Sequence, residues 1–438
     1  MGKALVFGTG DNMLHAYKYI NDHYEAVAFI DNNANKQGMI IDGKPVISIH
    51  DLNWFDYECI IVTPTLHQSI CKQLLDYGVA REKIILLQDL VDYSQYKGTA
   101  KIAFCLQRSL TDYLVAANYI WHFAKVLLSS AGYIDIYCAS GSKYAHFVFE
   151  GNELVQHIFD SPLEFVEFSD YDLVVQLNPY PVVLRRNDRF LSRLLPNAVD
   201  YVLSCERFRI DYGQLSCGNQ FSHNRLTVFH EIQGYNWLRA PDASGFLGLV
   251  DDYRFPLPVL KTPVPQVLKD GKPWVTICTL SNGDVRDWPQ AYWDSFRAWL
   301  IKAYADRWIM DIAGREGNEF FVNCMRCGEI VRQRLSLSEL AFLLRDSKLM
   351  VGTDTPLIHL RYALHGGTSI VLFGATSEKV KGCPGNENLR GLGCKHWCEG
   401  VAECWEQRCL RGQEVPPCME SITPEWVIER VEDCLSME

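Results

Sequence analysis

The chain has 438 residues, 48% hydrophobic and 22% charged, with a formal net charge of −11. That length supports two to four domains, and the acidic balance argues against nucleic acid as a partner while leaving room for a local basic pocket around one diphosphate. No apolar run reaches membrane-span length, and Met1-Gly-Lys-Ala-Leu-Val-Phe enters a strand pattern rather than a signal peptide, so the chain is read as soluble and cytoplasmic. Most of the 16 cysteines stand singly in apolar runs, as Cys59, Cys105, Cys138 and Cys278 do, which fits reduced core residues; only the C-terminal group is clustered.

Residues 1–97 open with a strand entering a Gly8-Thr-Gly10 turn, then a helix, then the strand Ala26–Asp31, which ends in an acid about twenty residues after the glycines. A dinucleotide fold puts its ribose ligand there, but Met13 stands where a third glycine belongs, which weakens a nicotinamide reading. Cys59–Pro64 reads as a third strand, and Tyr93–Thr99 as a linker. A docking or oligomerisation module, whose glycines merely make the turn, fits the same pattern.

Residues 98–262 restart with the strand Lys101–Leu106, a long apolar helix from Tyr113 to Leu128, and the strand Tyr133–Cys138. Asp112 precedes the helix, where it reads either as an N-cap or as a general base on a loop at the sheet's carboxyl edge. Asp172–Leu177 is a further buried strand. The aromatic and basic mixture from Pro179 to Leu260 suits an acceptor-binding face or ordinary solvated helices, and His223 and His230 show no metal spacing.

Phe255–Pro265 has four prolines in eleven residues and reads as a hinge. Residues 263–438 continue with the strand Trp274–Cys278, a loop to Pro289, a helix to about Tyr304, the strand Trp308–Ala313, and a loop carrying Glu316 and Glu319. Ser336 and Glu339 form a capping-box pattern before a helix to Asp346. From Lys348 to Gly374 the pattern is strand, tight turn, helix, strand: Thr355 can cap the helix, Pro356 can take its first position, and Gly366 and Gly367 suit its other end. Free N–H groups and the positive helix dipole converge at such a terminus, which makes it a phosphate site, with Asp354 and His359 in its first turn or so. A capped helix in a buried βαβ unit that binds nothing is the plainer alternative. Two α/β units across a hinge imply a cleft between them.

The region from about 98 to 438 resembles bacterial glycosyltransferase family 9, the ADP-heptose heptosyltransferases of lipopolysaccharide core assembly and their protein-modifying relatives. Four motifs in order carry the resemblance: Ser109–Asp112, Arg286-Asp-Trp-Pro289, Gly352–Arg361 and Leu372–Thr376. It implies a GT-B arrangement of two Rossmann-like domains facing a cleft, with residues 98–262 as the acceptor domain and 263–438 as the donor domain. It also implies inverting transfer of a heptose-like sugar from a nucleotide diphosphate, ADP-heptose foremost, to a glycan or protein hydroxyl. Asp112 is then the base, with Arg286 and Thr353, Asp354 and Thr355 on the diphosphate; Glu316 or Glu319 would take the ribose, and His359 is a phosphate contact or a packed helix histidine. No catalytic cofactor is expected, because fixed dipoles and a guanidinium meet the leaving-group charge. Pro356, Thr111, Arg361 and Arg286 depart from the family pattern and put the donor in doubt, and a non-catalytic binding protein on a degenerate transferase is the alternative. Residues 1–97 resemble the small Rossmann-like domain fronting polysaccharide-biosynthesis proteins, which implies a nucleotide-sugar-like ligand.

Within the segment 383–418, before a return helix from Pro424 to Leu435, Cys394, Cys398, Cys409 and Cys418 match a family pattern but for one extra residue in the first spacing. Four thiolates can hold zinc or iron tetrahedrally, in a structural role, whereas disulfides or packed thiols fit the same residues. Peripheral membrane proximity and a homo-oligomer are compatible with this reading.

Overall fold

The computed structural model describes residues 2–436 except 65–66, 91–99, 107–108, 129–131, 139–141, 161–167, 178–179, 195, 214–230, 243–244, 259–265, 281–284, 318 and 399–408. The linker read at Tyr93–Thr99, most of the Pro-rich stretch, His223, His230 and Cys404 therefore lie outside the described residues. The chain builds three sheets in sequence order.

The first sheet has the order β3-β4-β2-β1-β5-β6, with β1 (Gly2–Phe7), β2 (Tyr24–Ile30), β3 (Ile40–Ile41), β4 (Lys44–Ile47), β5 (Cys59–Val62) and β6 (Ile84–Leu86). β1 pairs in parallel with β2 on one side and β5 on the other, so the chain reverses its direction of progress at the end of β1. In such sheets that crevice is the ligand position. Gly8 has φ +99° there, and a Cβ would strike Pro64 and Thr63. Asp31 does not stand open for a ribose: its Oδ2 accepts from the Thr9 N–H at 3.2 Å, from the Thr9 hydroxyl, and from Lys36 Nζ at 3.3 Å.

The second sheet has the order β11-β10-β7-β8-β9, with β7 (Lys101–Leu106), β8 (Tyr133–Cys138), β9 (Val155–Phe159), β10 (Leu173–Leu177) and β11 (Pro181–Arg186). Its first four strands in space-order from β9 are parallel, and the central β7 and β10 read as near-continuous apolar runs because both faces are covered, whereas the edge strand β9 carries exposed Gln156 and His157. β11 is antiparallel and opens on Pro181, a residue tolerated at the start of an edge strand.

The third sheet has the order β15-β14-β13-β12-β16-β17-β18, with β12 (Trp274–Cys278), β13 (Trp308–Glu316), β14 (Glu319–Arg326), β15 (Glu329–Leu335), β16 (Met350–Thr353), β17 (Ser369–Phe373) and β18 (Glu387–Arg390). The loop expected after Ala313 is instead a continuation of β13 into an antiparallel hairpin with β14, in which Glu316 pairs with Glu319. Its tip reaches the second unit. Lys143 Nζ donates to the Gly317 carbonyl at 2.8 Å and Arg315 to the Tyr144 hydroxyl at 2.6 Å. The helix Ser142–Phe149 begins past the carboxyl end of β8, so the carboxyl edges of the second and third sheets face each other, the GT-B arrangement. The helices Leu110–Leu127 and Pro356–Ala363 also pack together, and one hydrophobic core runs from Val6 and Phe29 through Phe104 and Tyr119 to Met310 and Val371. Among the described residues no helix is long and apolar enough to cross a membrane.

Candidate functional site

β12 and β16 lie side by side with Cys278 opposite Gly352. A Cβ at Gly352 would stand 3.2 Å from that of Cys278, so the glycine lets the two strand ends close up. β16 stops at Thr353, and the helix Pro356–Ala363 starts with proline at its first position, where the missing N–H costs nothing. Thr355 occupies the N-cap with extended backbone, yet its side chain makes no capping bond. Its Oγ1 is buried without an oxygen or nitrogen partner, against the Cys278 thiol. At the other end the left-handed residue is His365 (φ 53°), not a glycine. Gly366 serves a different need: a Cβ would lie 2.8 Å from Arg361 Cγ.

Asp354 is buried, and its Oδ1 meets His359 Nε2 at 3.3 Å. Burial alone would raise its pKa. The His359 hydrogen bond and charge, then Arg286 and Lys381, outweigh burial and hold the carboxyl below its ordinary range. Arg286 also donates Nη1 to the Asp354 carbonyl at 3.4 Å. His359 is fixed on its other side: Nδ1 lies 3.6 Å from Cys383 Sγ, a thiol that burial keeps protonated, and Trp237 stands edge-on at 4.6 Å. His359 is thus a packed, fully partnered histidine, and the cations around Asp354 cancel its charge. What the terminus presents is backbone N–H groups, the helix dipole and the Arg286 guanidinium, a combination suited to an anion.

Beside this terminus opens a cavity of about 780 Å³. Thr279 and Thr353 at the sheet edge, Trp288 and Trp293, and the segment 412–416 line it. Of the donor residues read from sequence, Thr353 lines this cavity, and Val285 and Asp287 beside Arg286 do so as well. Glu316 stands apart, exposed on the hairpin tip. Asp112 is exposed in the first turn of the helix Leu110–Leu127, whose N-cap is Ser109 rather than Asp112. Ser109 Oγ accepts from the Asp112 N–H at 3.1 Å, and Asp112 Oδ2 accepts from the Ser109 N–H at 3.1 Å and hydroxyl at 2.7 Å. This reciprocal box fixes the carboxylate at the carboxyl edge of the second sheet.

Cys394, Cys398, Cys409 and Cys418 all line a second cavity of about 220 Å³. None of the four is in a disulfide, so the donor set suits a soft divalent cation. The ring is not closed: among the described residues, no three His, Cys, Asp or Glu side chains are grouped to hold a metal.

Residues 258–409 match the family model for glycosyltransferase family 9 (heptosyltransferase). The third unit is similar to that family over these residues. Residues 1–85 match a C2185-like N-terminal model. No curated protein matches the chain. Similar solved structures include the iron-containing dodecameric glycosyltransferase TibC of enterotoxigenic E. coli, with 15% identity over 78% of this chain and 77% of that one, at a TM-score of 0.46. A family 9 glycosyltransferase of Veillonella parvula gives 11% identity over 78% and 98%, TM-score 0.47. E. coli ADP-heptose heptosyltransferase II gives 14% over 77% and 99%, TM-score 0.41.

The third unit holds groups that sequence reasoning passed over. Thr279 Oγ1 donates to Asp311 Oδ1 at 2.6 Å, and Arg297 grips Asp311 Oδ2 through Nε at 3.1 Å and Nη2 at 2.9 Å. Burial raises the Asp311 pKa, and the bonds from Thr279 and Arg297 oppose it. Asp311 falls in the apolar run of β13, and a charge inside a buried strand was the available signal. Lys381 and Cys383 lie too far along the chain from Asp354 and His359 for spacing to connect them.

Proposed function

We propose that the chain is an inverting glycosyltransferase that moves a heptose-like sugar from a nucleoside-diphosphate donor, ADP-heptose foremost, to a hydroxyl of a glycan or protein. The family 9 match over the residues that carry Arg286, Asp354 and His359 supports this reading most. The diphosphate lies over the N-terminus of Pro356–Ala363, where amides and Arg286 meet the charge that develops on the leaving group. Asp112 takes the acceptor proton as the hydroxyl attacks the anomeric carbon from the face opposite the departing diphosphate. The new C–O bond forms as the old one breaks, so configuration inverts.

Residues 98–262 then act as the acceptor domain and 263–438 as the donor domain, with 1–97 as an accessory nucleotide-sugar-binding unit, in the cytoplasm. The four cysteines would hold a structural zinc or iron, apart from the reacting atoms, and elemental analysis of the purified chain tests that. The exposed tip position of Glu316 supports a ribose role less than the 780 Å³ cavity supports a donor role for Thr353. The decisive experiment offers ADP-, GDP- and UDP-sugars with glycan and peptide acceptors and follows nucleotide release and product anomeric configuration. ADP-sugar turnover with inversion is expected. Tight ADP-sugar binding without turnover on any acceptor would favour the non-catalytic alternative.

A further inference from the structure

One support of the Asp354–His359 pair comes from outside the third unit. Trp237 belongs to the second unit by sequence, yet its ring is buried edge-on to His359 at 4.6 Å. Local chemistry puts it there. The Asn236 side chain closes an Asx-type turn by accepting from the Leu238 N–H at 3.1 Å, and the Asn236 carbonyl accepts from the N–H groups of Arg239 and Ala240, each at 3.0 Å. That turn sets Trp237 against the segment 377–383: the Trp237 N–H donates to the Val380 carbonyl at 2.8 Å, and Asn236 Nδ2 donates to the Gly382 carbonyl. Further upstream, Glu231 accepts from Ser377 Oγ at 3.0 Å, Lys379 Nζ at 3.2 Å and Trp397 Nε1 at 2.8 Å. The receiving segment is itself fixed within the third unit, because Arg390 donates to the Thr376 carbonyl at 3.1 Å and Asn388 Nδ2 to the Cys383 carbonyl at 3.1 Å. Trp237 therefore sits on a rigid seat, and changing its ring leaves that seat in place. What the ring supports is His359. The bond from Nε2 to Asp354 is long at 3.3 Å, and the partner of Nδ1 is a thiol at 3.6 Å, so packing does more than bonding to fix the plane of the imidazole.

We propose that Trp237 is a positioning residue lent by the second unit to the donor site: its ring holds His359 on Asp354 and so keeps the terminus of Pro356–Ala363 fit for a diphosphate. The consequence for nucleotide binding rests on the donor-site reading above; the hold on His359 does not. Without the ring, His359 turns off Asp354, and a buried carboxylate short of one partner stands beside the amides that would take the phosphates. Like-charge repulsion then falls on the diphosphate and spares the nucleoside.

The test compares the full chain with Trp237→Leu, Trp237→Phe and Asn236→Ala by Kd for ADP and for adenosine, and by maleimide labelling of the buried Cys383 followed by peptide mass analysis. Trp237→Leu is expected to raise the ADP Kd about tenfold and the adenosine Kd less than about twofold, and to speed labelling of Cys383. In a His359→Asn background the same replacement is expected to add nothing to the loss of ADP affinity. Trp237→Phe keeps an aromatic edge against His359 and most of the affinity. Asn236→Ala loosens the seat and is expected to weaken ADP about threefold with adenosine spared, which carries the test if Trp237→Leu does not fold. Equal weakening of ADP and adenosine, an additive loss in the His359→Asn background, a Trp237→Phe loss equal to that of Trp237→Leu, or unchanged Cys383 labelling would overturn the proposal. If ADP does not bind the parent, the donor-site reading fails, and Cys383 labelling still decides whether Trp237 holds this side of His359.

Discussion

Arg361 is fully buried on the helix Pro356–Ala363, and its guanidinium donates to the carbonyls of Ser347 at 2.9 Å, Gly367 at 3.0 Å, Thr368 at 3.3 Å and Leu344. Leu344 lies in the last turn of the helix Leu337–Asp346, so a cation also meets the negative end of that helix. Burial lowers the Arg361 pKa to about 10, the nearby Asp346 charge opposing it, and the side chain stays protonated at neutral pH. Arg361→Met keeps much of the volume and strands four carbonyls. At about 2 kcal/mol for each stranded acceptor, the loss outweighs the roughly 3 kcal/mol of burial penalty recovered, leaving a net destabilisation of about 5 kcal/mol. For a unit of this size that lowers the melting temperature by roughly 10–20 °C. Calorimetry of the full chain reads it as a shift of the third unit's transition, with Arg361→Lys falling between the two because it keeps charge but not the planar fork. A shift under about 3 °C for Arg361→Met would refute the view that this side chain fastens the helix Pro356–Ala363 from behind.

Other consequences follow from single groups. Burial chiefly lowers the His122 pKa to about 4 from an ordinary 6.5, so the folded state binds fewer protons than the unfolded one. That stability is complete above pH 6.5 and is lost as pH falls toward 4, about 3 kcal/mol in all; a urea-denaturation series should show the slope in the parent and a flatter one in His122→Phe, and equal slopes would contradict it. Asp311→Asn releases Arg297 and Thr279, so the donor KM should rise about tenfold with kcat changed much less; steady-state kinetics showing a fall in kcat alone would exclude a positioning role. Gly391→Ala forces Cys418 off its floor and should disturb the thiol cavity, read as faster thiol labelling at Cys418. Unchanged labelling would show that the floor does not hold it.

The sheets were legible where strands are buried on both faces: Lys101–Leu106, Trp274–Cys278 and Ser369–Phe373 are the observed strands residue for residue. Ser336 and Glu339 form the capping box their spacing implied. The hairpin β14–β15 was not legible, because Glu329–Leu335 is an edge strand with mostly polar, exposed residues and no strong period. Asp112 was read as either a cap or a base; the cap is Ser109, whose hydroxyl accepts from the Asp112 N–H, and Asp112 is the acid three residues on. Of the site, the clustering of Arg286, Asp354 and His359 was visible as motif. The aromatic cavity was not, because its walls come from residues 279–293, 353 and 409–416, which only the sheet edge brings together.

The central claim is that Asp112 accepts the proton while the helix terminus near Thr355 grips the diphosphate. It is tested most directly by Asp112→Ala, with ADP affinity and single-turnover rate measured on the same preparation. The account predicts a rate lower by roughly 10²–10⁴-fold with ADP affinity retained. A fall of less than tenfold, or loss of ADP binding in step with rate, would contradict it.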